Sequence, residues 1–431
     1  MRVEAVGTGV ELGDADVDQF HEGPVESRRF GDAPDRLCRG AQGRVGVGAL
    51  LVDEHASLVG ASRGPCIGAY RRLCHGGALR RAVAFVTSYH RTIEVEIETF
   101  RVEWEDRAVS NTETRPAEVR CGAPENGTPA AGVEILTARD VPLGGPRAMT
   151  VRRTLPQRAR TLIGAWCFAD HYGPDEVSRS GGMNVAPHPH IGLQTVSWLF
   201  SGTIEHRDSV GSHALVRPGE VNLMTGGHGI SHSEVSTPDT TILHGVQLWV
   251  ALPSEHRDTT PAFEHHVPAP VPLDGGEVRV FLGSLAGDTS PVGTFTPLLG
   301  AEATLAPGAT VTLDVDPGFE HGVLVDSGDV RLEGTAVRPA ELAYTAPGRG
   351  TLTLTNEAPA PARLLVLGGP PFPEEIIMWW NFVGRSHEEI VRAREDWTKG
   401  DRFGEVHGYD GAPLPAPELP NTPLKPRRRA R

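Results

Sequence analysis

The stretch APHPHIGLQTVSWLFSG, residues 186–202, opens on two histidines, His188 and His190, and runs into an apolar segment. In an extended strand, side chains two positions apart leave the same face about 7 Å from each other. That spacing lets both imidazoles reach one ion at about 2.0–2.2 Å. Pro187 and Pro189 stiffen the approach and imply a strand start or sheet edge, because proline cannot donate to a central ladder. Further along, TGGHGISHSEV (225–235) repeats the device with His232 and Glu234. Two such couplets aimed into one barrel offer three imidazoles and one carboxylate. Nitrogen and oxygen donors without thiolate suit iron(II), manganese, nickel, copper or zinc. A lone His-x-His among 18 histidines is a weak signal, and the second couplet is what lifts the metal reading above ordinary buried histidines.

The other polar candidates rank lower. His228, four residues before His232, reads as a pocket rim or a residue behind the ligands. His206 and His213 fall in a hairpin and read as surface residues, and His265 and His266 as solvated loop residues. Gln194, four after His190, is expected near the ion, where it can hydrogen-bond a ligand but cannot act as a base.

Around these couplets the chain has the texture of an antiparallel β protein. From Val133 to about residue 268, short apolar runs such as AMTVRRTLPQ, LQTVSWLFSG and LHGVQLWVALP are bounded by Gly or Pro. A second set, 269–404, includes VRVFLGSL, HGVLVDSGDVRL and ARLLVLGG. FSGTIEHRDSVGSHALVRPGEVNLMTGG in the first set lines up with VDSGDVRLEGTAVRPAELAYTAPG in the second, a repeat of roughly 125 residues. The second copy has only His321 at the corresponding place, so it is expected to be metal-free. A short helix is predicted in SHEEIVRAREDW, with Ser386 and Glu389 as a capping box. The Pro-rich end, 405–431, finishing in KPRRRAR, is expected to be disordered and solvated.

Residues 1–132 differ in texture and are expected to be a poorly ordered extension or the product of a mis-assigned start. RRLCHGGALRRAVAFV could form a short helix there, while TIEVEIETFRVEWED alternates as a strand. SNTETRPAEVRCGAPENGTPAAG, from Ser110, reads as a disordered tail.

Composition narrows the function classes. With 51 Gly and 36 Pro, the chain suits a turn-rich β protein. A formal net charge of −14 argues against general binding of nucleic acid or anionic membranes. No apolar run approaches the roughly 18–20 residues of a bilayer span, and no secretory leader is visible at the start. Cys38, Cys66, Cys74, Cys121 and Cys167 form no CxxC pair and read as free thiols in a reducing, cytoplasmic setting.

The segments FADHYGPD, APHPHIGLQTVSWLFSG, IEHRDSVGS, RPGEVNLMTGGHGISHSE, LHGVQLWVALP and PPFPEEIIMWWNFVGRSHEEI resemble the pirin family, particularly its bacterial branch, over about Val133 to Gly404. The resemblance implies an all-β double cupin, two stacked antiparallel barrels with a short C-terminal helix. It implies one iron in the first barrel on His188, His190, His232 and Glu234. Gln194 stands where many cupins carry Glu, and His228 where pirins often carry Arg. Some pirins are similar in activity to quercetin 2,3-dioxygenase, which opens a flavonol ring with O2 and releases carbon monoxide. The implied partners are therefore O2 and a small aromatic or enol substrate, with Glu234 as candidate base and Trp198 and Met224 as candidate pocket walls. The family equally implies a non-enzymatic alternative, an iron-dependent redox-sensing protein that regulates a protein partner.

Overall fold

The computed structural model describes residues 132–143 and 149–426, together with short backbone strands at 74–75, 78–79, 82–88, 91–97 and 119–121. Ala82–Ser88 and Arg91–Ile97 pair as an antiparallel hairpin. The alternation in TIEVEIE is thus a strand, whereas the stretch expected to form a short helix carries strands at Cys74–His75, Ala78–Leu79 and Ala82–Ser88. The segment from Ser110 that reads as a disordered tail lies outside the described residues except at its strand Val119–Cys121 and its end.

The rest is two β barrels, each a seven-stranded sheet with a four-stranded sheet across its core. In the first barrel the large sheet runs, in spatial order, Ala262–His266, Val221–Thr225, Leu193–Ser201, Ile242–Ala251, Trp166–Glu176, Met149–Leu155 and Arg139–Leu143. Its small sheet is Asn184–His190, Ile230–Ser236, Ile204–Asp208 and His213–Val216. The second barrel repeats the plan, with Val271–Leu273, Gly276–Leu282, Leu299–Leu305, Ala362–Gly369, Glu320–Ser327, Glu341–Thr345 and Glu134–Thr137 in the large sheet. Short apolar runs become strands because alternate residues can be buried on the inner face, as in Val311 and Leu313 or Leu352 and Leu354 of the second small sheet.

The two large sheets pack back to back. Val196, Trp198, Val246 and Leu248 of the first meet Phe281, Leu324, Leu365 and Leu367 of the second in one buried cluster. Polar ties cross the same seam: Trp166 Nε1 donates to the carbonyls of Leu299 (3.1 Å) and Gly368 (3.2 Å).

The barrels also exchange segments. Glu134–Thr137, which sequence order assigns to the first barrel, pairs with Glu341–Thr345 in the second. After the second barrel the chain returns to the first. The hairpin of Ile376–Trp379 and Phe382–Gly384 turns through Trp380, whose φ of 54° lies in the left-handed region. Helix His387–Lys399 follows, N-capped by the Ser386 hydroxyl, which accepts from Glu389 N–H. The Glu389 carboxylate accepts in turn from Arg385 N–H, so the expected capping box forms one residue wider than the usual pattern. Ile377, Trp379, Phe382, Ile390 and Ala393 pack against Val151, Tyr172, Val185 and Leu199 of the first barrel.

The expected disorder of 405–431 is not what the described part of the tail shows. Through residue 426 it lies against the first barrel: Leu414 N–H donates to Pro187 O (2.8 Å), Trp397 Nε1 to Leu414 O (2.8 Å), and Leu414 and Leu424 are buried. Few apolar residues occur in this Pro-rich segment, but Val406 is buried as well, and Ala416 and Leu419 pack against the same cluster as Leu414 and Leu424. Among the described residues no helix is long and apolar enough to cross a membrane.

Candidate metal centre

Asn184–His190 is an edge strand of the small sheet, as its prolines require, and its register shifts between Val185 and His188, beside Pro187. His188 pairs directly with His232 across to Ile230–Ser236. On the other side of that strand, Glu234 pairs with His206 and His232 with Asp208. The two couplets therefore meet on neighbouring strands inside the first barrel.

The coordinating atoms of His188, His190 and His232 all lie within 4.8 Å of one another, and all three rings are buried. Nε2 of His190 and Nε2 of His232 are 3.0 Å apart. Ring centroids are separated by 4.3 Å for His188 and His232 and by 5.0 Å for His188 and His190. The outward nitrogens are occupied: His188 Nδ1–H donates to Ala186 O (2.9 Å), and His190 Nδ1–H to Asn381 O (3.2 Å) in the returning hairpin. A proton held on Nδ1 leaves the lone pair on Nε2, which is the metal-binding tautomer. Burial pushes His188 down to about 4 and His190 and His232 well below the ordinary histidine range, so all three rings are neutral at pH 7. Neutral, convergent imidazoles suit a cation and form a poor hydrogen-bonded core without one, since lone pairs facing each other gain nothing. The donor set thus fits a transition metal.

Glu234 lies in an overlapping trio with His206 and His232. Its carboxyl is buried and is pushed up to about 7 by loss of hydration, opposed by His206 and by the Ser197 hydroxyl 3.3 Å from Oε1. Around the cluster, register puts Thr195, Ser197, Asn222, Met224, Phe263 and Trp249 on one face of the large sheet. Trp249 meets His190 edge-on at 5.3 Å, and Phe263 stacks on His206 at 4.7 Å.

Several expectations do not hold. Gln194 and Trp198 belong to the opposite face of Leu193–Ser201. Gln194 Nε2 donates to Thr225 Oγ1 (2.9 Å) and to Gly293 O (3.4 Å) beyond the first barrel, and Trp198 Nε1 donates to Glu302 Oε2 (2.7 Å) of the second. Neither lines the centre, whereas Met224 shares the inner face with Ser197. His228 is exposed and serves through its carbonyl, which accepts from Arg402 Nε (2.7 Å). His265 and His266 lie in the edge strand Ala262–His266, not in a loop. His213 is exposed, but His206 is buried against His232 and not at the surface. The signal for His206 was available: His206 and Asp208 form one more i, i+2 couplet. His321 is buried cross-strand from Thr345 in the second barrel.

The Pirin family pattern matches residues 148–250, and the pattern for the Pirin C-terminal cupin domain matches 300–404. A Pseudomonas aeruginosa protein named "Putative quercetin 2,3-dioxygenase" is 48% identical over 287 residues, covering 66% of this chain and 90% of that protein. A "Pirin-like protein" of Caulobacter vibrioides is 38% identical over 291 residues, covering 65% of this chain and 98% of the other. The crystal structure of quercetin 2,3-dioxygenase from Acinetobacter baumannii aligns with a TM-score of 0.65 at 39% identity, over 68% of this chain and 98% of that one. Two back-to-back cupin barrels, matched in sequence and in structure, establish that the chain belongs to the pirin family.

Proposed function

We propose that His188, His190, His232 and Glu234 hold one mononuclear metal, with iron(II) the first choice and manganese, nickel, copper or zinc as alternatives. We further propose that the protein is a dioxygenase that opens a quercetin-type flavonol or a related enol with O2. The observation that carries the reading is the convergence of three buried imidazoles whose Nε2 lone pairs face one another. Relatives and a solved structure named quercetin 2,3-dioxygenase support the choice of reaction.

When bound, a divalent ion supplies Lewis acidity that lowers the pKa of an enol hydroxyl. Glu234 is the base that takes the hydroxyl proton when its carboxylate is released from the ion. In the metal-free pocket burial holds this carboxyl at about 7, so once free of the ion it can hold a proton at Oε1 or Oε2 and return it, which a solvated carboxylate does poorly. Trp249, Met224 and Phe263 give the inner face an apolar surface that favours a planar aromatic and excludes water. Ser197, shared between Glu234 Oε1 and Gln247 Oε1 (2.9 Å), orients the carboxyl.

The test is anaerobic reconstitution of the full chain with iron(II), followed by a flavonol and O2. Ring opening with carbon monoxide release, abolished in His190→Ala and Glu234→Gln, is the expected result. Full metal occupancy without turnover of any flavonol or enol would overturn the enzyme and leave the redox-sensing regulatory role.

A further inference from the structure

Two of the three imidazoles are oriented by carbonyl oxygens, which accept a hydrogen bond and cannot donate one. His232 is different. Its Nδ1 faces Nδ1 of His206 at 3.4 Å. Two imidazole nitrogens settle nothing between themselves, since either could carry the proton. The next residue out decides the matter: His206 Nε2 lies 3.2 Å from Asp208 Oδ2. The Asp208 carboxylate is itself fixed, because its Oδ1 accepts from the backbone N–H of Val210 (3.1 Å) and of Ser212 (2.8 Å). Asp208 can only accept, so His206 carries a proton on Nε2, and in its neutral form it presents a lone pair at Nδ1. His232 must then donate from Nδ1, and its lone pair is left on Nε2, facing His190.

We propose that His206 and Asp208 are positioning residues that lock His232 in its metal-binding tautomer through a carboxylate–imidazole–imidazole chain. This rests on the reading of His232 as a metal ligand. All members are buried, His206 at 3%, Asp208 at 4% and His232 at 1% exposure, so water does not substitute for the missing partner. Phe263, stacked on His206 with ring planes 26° apart, holds the middle ring in place. The chain also delivers negative charge to one ligand alone, which makes His232 a stronger donor than an imidazole oriented by a carbonyl.

The geometry makes a discriminating substitution available. In Asp208→Asn the side-chain carbonyl keeps the Val210 and Ser212 N–H bonds, so the amide NH2 turns to His206. His206 must then accept at Nε2 and carry its proton on Nδ1, against the proton of His232. Relief comes from moving the His232 proton to Nε2, where it blocks coordination. This is the wrong-tautomer effect known from serine-protease triads. In His206→Asn, by contrast, the amide oxygen stands near the place of the lost Nδ1 and still accepts from His232.

The experiment is a chelator-competition titration of the full-length protein with cobalt(II) and with nickel(II), after far-UV circular dichroism shows each variant folded. Asp208→Asn and His206→Phe are expected to weaken binding about 10–100-fold, and His206→Asn to retain affinity within about threefold. His190→Ala is the control. If it keeps full affinity, the ligand reading fails and the relay with it; if it loses the metal while Asp208→Asn binds as tightly as the parent, the relay alone is overturned. Two-bond 1H–15N correlation spectra of the metal-free parent protein give a readout that does not depend on any variant folding. A neutral His206 protonated on Nε2 is expected, and a proton on Nδ1 would overturn the proposal.

Discussion

Asp326 Oδ1, carried by the second barrel, lies 2.8 Å from Nε2 of His171 in the first. The same oxygen is 2.6 Å from His244 Nε2, and Oδ2 accepts from Arg363 Nε (2.9 Å) and Nη2 (2.8 Å). These donors could in principle gather round an ion, but Arg152 Nη2 stands 3.4 Å from His171 Nε2, and Arg363 already neutralises the carboxylate. A divalent cation would face two guanidinium groups, so the cluster is a clamp across the seam. Asp326→Ala leaves Arg363 and two imidazoles without their acceptor, and a loss of about 3–5 kcal/mol is expected in equilibrium urea unfolding. A loss below about 1 kcal/mol would show that the seam is held by apolar contact alone.

Metal removal should be visible in stability without any assay of turnover. An ion that binds only the folded state contributes about 2.7 kcal/mol at a free concentration 100 times its dissociation constant. The reconstituted protein should melt at a higher temperature than the chelator-stripped form, and readdition should restore the difference. In His190→Ala the difference should vanish. An equal gain in that variant would place the ion elsewhere.

Glu234→Gln should stabilise the metal-free protein, increasingly so as pH rises. The Glu234 carboxyl sits at about 7 when folded, against about 4.5 when exposed. Its folded-state pKa is raised, so the native state holds the proton more tightly than the unfolded chain. That advantage is complete below about pH 4.5 and is lost as pH rises through 7. Relative to the parent, the variant should gain nothing across the acid limb and at most about 3 kcal/mol by pH 8. His188, His190 and His232 titrate in both proteins and largely cancel. Parallel denaturation curves at pH 4.5 and pH 8 decide it, and a pH-independent difference would refute the buried-carboxylate account.

Ser386→Ala removes the hydroxyl that accepts from Glu389 N–H at 3.3 Å. A loss of about 1 kcal/mol is expected. Because Ile390 and Ala393 of this helix are buried on the first barrel, amide exchange should quicken in the hairpin Ile376–Gly384 as well as in the helix.

The two couplets are legible because alternation alone decides which strand residues share a face. That rule does not extend to Gln194 and Trp198, whose expected places beside the ion and the pocket rest on the family resemblance. Counting on from His190 ignores the corner at Gly192, where φ is +67° and an added Cβ would lie 2.1 Å from Val383 O. The chain changes sheet there, and parity does not carry across. Asp208 stayed hidden because its partner is a histidine that hairpin position suggests is solvated. Asn381, which orients His190, comes from a segment 191 residues away, and no local pattern announces that contact. Composition alone points to disorder in the tail, whereas the burial of Leu414 and Leu424 depends on a surface built by the rest of the chain.

The exchange of end segments bears on how the protein could be dissected. A cut beside Val267, which is 57% exposed between the barrels, would give one fragment carrying a strand its neighbour needs and another carrying the hairpin that orients His190. Each half would be its companion's missing piece, so a nicked molecule should stay associated under native conditions, and neither fragment expressed alone should inherit a finished centre.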